Sequence, residues 1–133
     1  MPSLPLSALV DQKYSSVYAY AGVEAIRSRL AELGAIVILN EDDTFLGVLT
    51  PTDVLIRASR LVIDCLRRKP VIYIDQSVEE AVDTMLTNYE TVLPVMHRYG
   101  KPVGLLHQHT LIEYLLKENR RLAQENSSIP PLR

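Results

Sequence analysis

The chain has 133 residues, 47% of them hydrophobic, which gives one compact domain with a core of its own. A net charge of −2 excludes the strongly basic surface that nucleic acid or an anionic membrane demands, and a single cysteine, Cys65, excludes an internal disulfide and fits a reducing compartment. No apolar run approaches the roughly 20 residues that cross a bilayer, and the first ten residues lack the basic start of a secretory signal, so the expected location is cytoplasmic.

In chain order, residues 6–9 form a short leading helix and residues 17–20 a β-rich run. Residues 23–33 carry helical periodicity closed by Gly34, a residue type that ends helices in the left-handed conformation. Residues 35–39 and 45–49 read as strands around the acidic turn 40–43, and residues 52–60 as a closing helix. Cys65 lies in an apolar run and reads as inert packing. The segment Arg67-Arg68-Lys69-Pro70 reads as a solvated linker, with a phosphate contact as the lesser alternative.

A second series follows. Residues 71–74 are β-rich. Asp75 and Ser77 are helix N-cap types, Glu79 and Glu80 suit a helix start, and Val78, Ala81, Val82, Met85 and Leu86 share one helical face. Residues 91–96 and 103–106 are strands around a turn at 98–101, and residues 110–116 begin another helix. That helix continues over residues 111–126, where Ile112, Leu115, Asn119, Leu122 and Asn126 fit two heptads of a coiled-coil seam; a solvated tail accounts for them equally well. Residues from 127 onward, with Pro130-Pro131, are expected to be loose.

The two series are a repeat. Residues 35–47 align with 92–104: an apolar run, a polar turn, and an apolar pair ending in Gly47 or Gly104, each followed by two aliphatics, Val48-Leu49 or Leu105-Leu106. Residues 23–26 resemble 79–82, and residues 6–9 resemble 63–66. The expected fold class is therefore α/β (α+β), two β-α-β-β-α repeats packed through their sheets with a pseudo-two-fold axis. One repeat alone buries too little surface to be stable. The expected division is 1–62, 63–116, and a tail at 117–133.

The repeat order and the run Gly47-Val48-Leu49-Thr50-Pro51-Thr52-Asp53 resemble the CBS family, in which repeats occur as a tandem pair, the Bateman module. The family pattern is glycine, two aliphatics, Thr or Ser, two variable residues, then Asp or Asn, and the likeness spans residues 6–116. The resemblance implies a regulatory module without catalysis. It would bind an adenosine-type nucleotide (AMP, ADP, ATP or S-adenosylmethionine) and associate as a homodimer through its helices. It also implies that Asp53 holds the ribose and Thr50 lies near phosphate. Thr52 and Tyr18 complete the candidate site, Tyr18 by its place near the end of the first strand.

The residues support that chemistry independently. A carboxylate accepts hydrogen bonds from both hydroxyls of a ribose, and free N–H groups at a helix start suit phosphate. The competing reading is structural: Thr50 or Thr52 caps the helix and Asp53 complements its dipole. Arg57, one turn beyond Asp53, reads as exposed. Tyr14, Tyr18 and Tyr20 are ordinary β-formers as well as candidate stacking residues.

In the second repeat His107 stands at the Thr position and Thr110 at the Asp position. Threonine cannot replace a carboxylate on a ribose, so the second cleft is expected to bind nothing or a different ligand. His107 and His109 are two apart and point to opposite faces of a strand, and His97 sits by a turn, so no metal site is expected. No nucleophile motif or phosphate loop is present. Two functions from different classes remain: a nucleotide sensor, and a ligand-free dimerisation or partner-docking module.

Overall fold

The computed structural model describes residues 4–125. After a 3₁₀ turn at Leu6–Ala8 come β1 (Ser16–Tyr18), α1 (Val23–Leu33), β2 (Ile36–Leu39), β3 (Phe45–Leu49), α2 (Pro51–Ile56) and α3 (Val62–Cys65). The second series is β4 (Ile72–Tyr73), α4 (Val78–Asn88), β5 (Val92–Met96), β6 (Pro102–His107) and α5 (Gln108–Glu125). Asn126 of the heptad seam and the expected loose end from residue 127 lie outside the described residues. Among the described residues no helix is long and apolar enough to cross a membrane.

The strands form two three-stranded sheets, β1-β2-β3 and β4-β5-β6, each with a parallel first pair and an antiparallel second pair. Their registers repeat. Ile38 faces Gly47 as Val95 faces Gly104, and both ladders shift immediately afterwards, at Ile38/Leu39 and at Val95/Met96. Tyr18 pairs with Leu39 as Tyr73 pairs with Met96. This correspondence places Val23 over Val78, one residue away from the alignment expected from sequence. The turn leaving α4 is longer than the turn leaving α1, which hides the true offset from a comparison of short blocks.

Local chemistry explains the helix ends. In α4 the Ser77 hydroxyl accepts from Glu80 N–H at 3.1 Å, and the Glu80 carboxylate accepts from Ser77 N–H at 3.3 Å, a reciprocal capping box. Gly34 ends α1 with φ 81° and donates to Leu30 O. Tyr89 occupies the same place after α4 with φ 55°, a conformation that disfavours a residue with a side chain. The expected closing helix over 52–60 stops at Ile56. Beyond it, Arg60 O accepts from Val23 N–H and Ala21 O accepts from Val62 N–H, which ties residues 60–62 to the start of α1.

Three apolar clusters hold the molecule. Ala35, Val37, Val48, Val92 and Leu105 pack between the sheets. Val23, Ile26 and Leu30 of α1 cover the outer face of the first sheet together with Val62 and Cys65. Ala81 and Met85 of α4 cover the second sheet together with Leu6 and Leu111. The leading segments are thus exchanged in space: residues 6–10 pack on the second sheet, and α3 packs on the first. Asp11 extends this exchange by bridging Leu105 in both directions, N–H to O at 2.8 and 2.9 Å.

Candidate functional site

The first cleft follows from this exchange. The chain leaving α3 crosses β3 and encloses a cavity of about 390 Å³ with Phe45, Leu46, Gly47 and Val48 on one side and Arg67, Arg68 and Lys69 on the other. Gly47 permits the crossing, since a Cβ there would lie 3.0 Å from the Leu66 side chain.

Behind the cleft wall stands Asp53, fully buried. Its Oδ2 accepts from Thr50 N–H at 2.8 Å, from the Thr50 hydroxyl at 3.1 Å and from Lys69 Nζ at 2.5 Å. Its Oδ1 accepts from Arg67 Nε at 2.6 Å. The Lys69 side chain is 3% exposed and spends its other donors on Val48 O at 2.8 Å and Arg67 O at 3.4 Å. Arg67 reaches from Asp53 across to Glu90 of the second repeat, at 3.6 Å. A buried carboxylate is tolerable only when paired and hydrogen-bonded, and here the linker supplies both partners.

Arg67 and Lys69 are therefore anchored parts of the site and not a solvated linker; among the linker's cations, Arg68 stands exposed at the cleft. Sequence reasoning passed over the pair because charge runs are usually solvated. The available signal was Asp53 itself, a carboxylate leading into the apolar run Val54-Leu55-Ile56, which needs a counter-ion to be buried.

Thr50 and Asp53 are brought together and buried, and neither lines the cleft surface. Thr52 is exposed on α2. Tyr18 is exposed and donates its hydroxyl to Asp43 Oδ1 at 2.8 Å, on the hairpin turn and outside the cleft lining. The carboxylate of Asp43 so placed raises the Tyr18 hydroxyl above its usual range, by hydrogen bond and by charge. Helix α2 is six residues long and Asp53 N–H is already given to Thr50 O, so its start offers little to a phosphate.

The symmetry-related second cleft, about 230 Å³, is lined by Asp11, Lys13, Tyr14, Ser15, Leu105 and His107 among others. Its charges are arranged the opposite way. The carboxylate comes from the leading segment and the basic group from the motif, with His107 Nε2 3.6 Å from Asp11 Oδ2. Burial and the neighbouring His109 hold His107 below its ordinary pKa, against the opposing pull of Asp11. The His107 and His109 rings lie 5.2 Å apart, whereas His97 stacks on Tyr99. The inverted arrangement presents no carboxylate at the place Asp53 occupies in the first repeat.

Two sheets back to back, helices on both outer faces and two clefts related by the repeat define a tandem α/β pair. The CBS domain family model matches residues 7–60 and 62–117, and the chain belongs to that family. Solved structures agree on the fold. CBSX2, determined in complex with AMP, superposes with a TM-score of 0.76 at 19% identity, covering 88% of this chain and 99% of that one. The CBS domain pair of MJ0100, determined with 5′-methylthioadenosine and S-adenosyl-L-methionine, gives 0.77 at 14%, covering 88% and 99%. TA0289 of Thermoplasma acidophilum, a CBS domain protein of unknown function, gives 0.77 at 16%, covering 84% and 68%.

Proposed function

We propose that this chain is a cytoplasmic, non-catalytic sensor that binds an adenosine-type nucleotide in the first cleft and signals by altering its assembly or its contact with a regulated protein. The observation that carries the reading is the first cleft itself: three linker cations, Arg67, Arg68 and Lys69, line a cavity large enough for a nucleotide's polar half, and two of them, Arg67 and Lys69, pair with the buried Asp53 behind it. In the bound state Asp53 meets the ribose, Thr50 stands beside it, and the linker cations take phosphate. Thr52 and Tyr18 take no part. The second cleft has Thr110 where the first has Asp53, and it binds nothing or a different ligand. The adenosine ligands of CBSX2 and MJ0100 support the ligand class.

Ligand binding to the folded state alone adds about 2.7 kcal/mol of stability at one hundred times the dissociation constant. A thermal-shift series with AMP, ADP, ATP and S-adenosylmethionine therefore tests the reading, and no shift with any of them rejects it. One observation favours the second reading, a ligand-free dimerisation or docking module: Leu55 and Ile56 on α2 are 81% and 63% exposed beside an apolar groove. A homodimer through the helices follows from either reading, and light scattering at micromolar concentration checks it.

A further inference from the structure

The carboxylate behind the first cleft is occupied by the chain's own cations. Asp53 accepts four hydrogen bonds, two of them from cations, and it is fully buried, so a ribose hydroxyl reaches it only by moving Lys69 or Arg67 aside. What becomes of the displaced cation decides which ligands bind. Lys69 is almost fully buried, and its three donors all go to protein oxygens. Moving it off Asp53 without a new anion leaves a desolvated, uncompensated ammonium, which is strongly unfavourable. Arg67 is less constrained, because Glu90 is a second acceptor for it. A phosphate takes up the released cation with a charge-assisted hydrogen bond, so the number of paired charges is conserved. An uncharged adenosine brings no such acceptor. S-adenosylmethionine puts its sulfonium charge at the 5′ position, where AMP carries phosphate and where Arg67, Arg68 and Lys69 stand, and its carboxylate lies several bonds further out.

We infer that the first cleft selects phosphorylated adenosines over uncharged or cationic adenosyl compounds, with Lys69, held on Asp53, as the specificity-determining residue. The inference rests on the proposed nucleotide reading of this cleft and deepens it. Lys69 acts as a tethered competitor for the ribose carboxylate, released in exchange for the ligand's phosphate.

The test is calorimetric titration of the full chain with AMP, adenosine and S-adenosylmethionine. AMP is expected to bind at least tenfold more tightly than either of the others, the difference that one charge-assisted hydrogen bond carries. In Lys69→Met the two affinities move in opposite directions: adenosine binds more tightly because Asp53 is freed, and AMP binds more weakly. A merely damaged cleft would lower both. Should Lys69→Met not fold, inorganic pyrophosphate on the parent chain provides the second measurement, and it is expected to compete with AMP. Adenosine or S-adenosylmethionine binding as tightly as AMP overturns the selectivity while leaving the nucleotide reading standing. Absence of binding by all three overturns both. Failure of pyrophosphate to compete, or an unchanged AMP-to-adenosine ratio in Lys69→Met, overturns the exchange.

Discussion

Replacing Asp53 by alanine tests the buried network through stability alone, with no ligand present. An exposed carboxylate at a helix start contributes about 1 kcal/mol, and sequence alone places Asp53 in that class. The structure places it elsewhere. Asp53 is fully buried and Lys69, its partner at 2.5 Å, is 3% exposed. Arg67, 28% exposed, has Glu90 and solvent to turn to, whereas Lys69 has neither. Asp53→Ala therefore strands one buried charge, for which about 3–5 kcal/mol is the usual cost. Against a total stability of about 5–15 kcal/mol for a domain, that is a large fraction, and it lowers the melting temperature by roughly 10–20 °C. Urea unfolding followed by far-ultraviolet circular dichroism gives the difference, with the slope in urea unchanged. The double variant Asp53→Ala with Lys69→Met removes the stranded charge and should recover about 2 kcal/mol relative to Asp53→Ala alone. A loss below about 1 kcal/mol for Asp53→Ala, or strict additivity in the double variant, would refute the buried pairing.

Tyr89→Gly should raise stability by about 0.5–1 kcal/mol, because φ 55° at an exposed helix end penalises a side chain; an unchanged melting temperature would argue against the left-handed cap. Gly104→Ala should cost about 1–3 kcal/mol, since a Cβ there would stand 2.3 Å from Asp11 O, and backbone has to move; a neutral substitution would contradict the close crossing. His107 is held below its ordinary value of 6.5 by burial and by His109. In the window between that ordinary value and the lower folded one the unfolded chain binds more protons, so stability falls as pH drops through it. His107→Gln should flatten this part of the melting curve against pH, and identical slopes in parent and variant would count against the assignment.

Most of the fold was legible because its signals are local. Gly34 after a helical period, Ser77 with Glu80, and the strand pair around residues 40–43 each specify an element without help from distant residues. The repeat was legible because block order survives duplication. The exchange of leading segments was not, since which sheet Leu6 or Val62 packs on depends on tertiary geometry alone. For the site, the motif pointed to Thr50 and Asp53, and the structure does bring these two together. It gave no sign that Lys69 and Arg67 would close over them, because a run of basic residues next to Pro70 carries the same pattern as any solvated connection. The length of α2 was overestimated for a similar reason: the hydrogen bonds that hold residues 60–62 away from it run to Ala21 and Val23 and have no local trace.

In the proposed function the first cleft binds an adenine nucleotide through its linker cations. Calorimetric titration of AMP into the parent chain and into Arg68→Glu tests it most directly. Arg68 is exposed at the cleft, so the substitution should leave unliganded stability within about 0.5 kcal/mol of the parent. One site per chain is expected in the parent, with an affinity at least tenfold lower in Arg68→Glu. No heat of binding in the parent, or equal affinities in the two proteins, would contradict it.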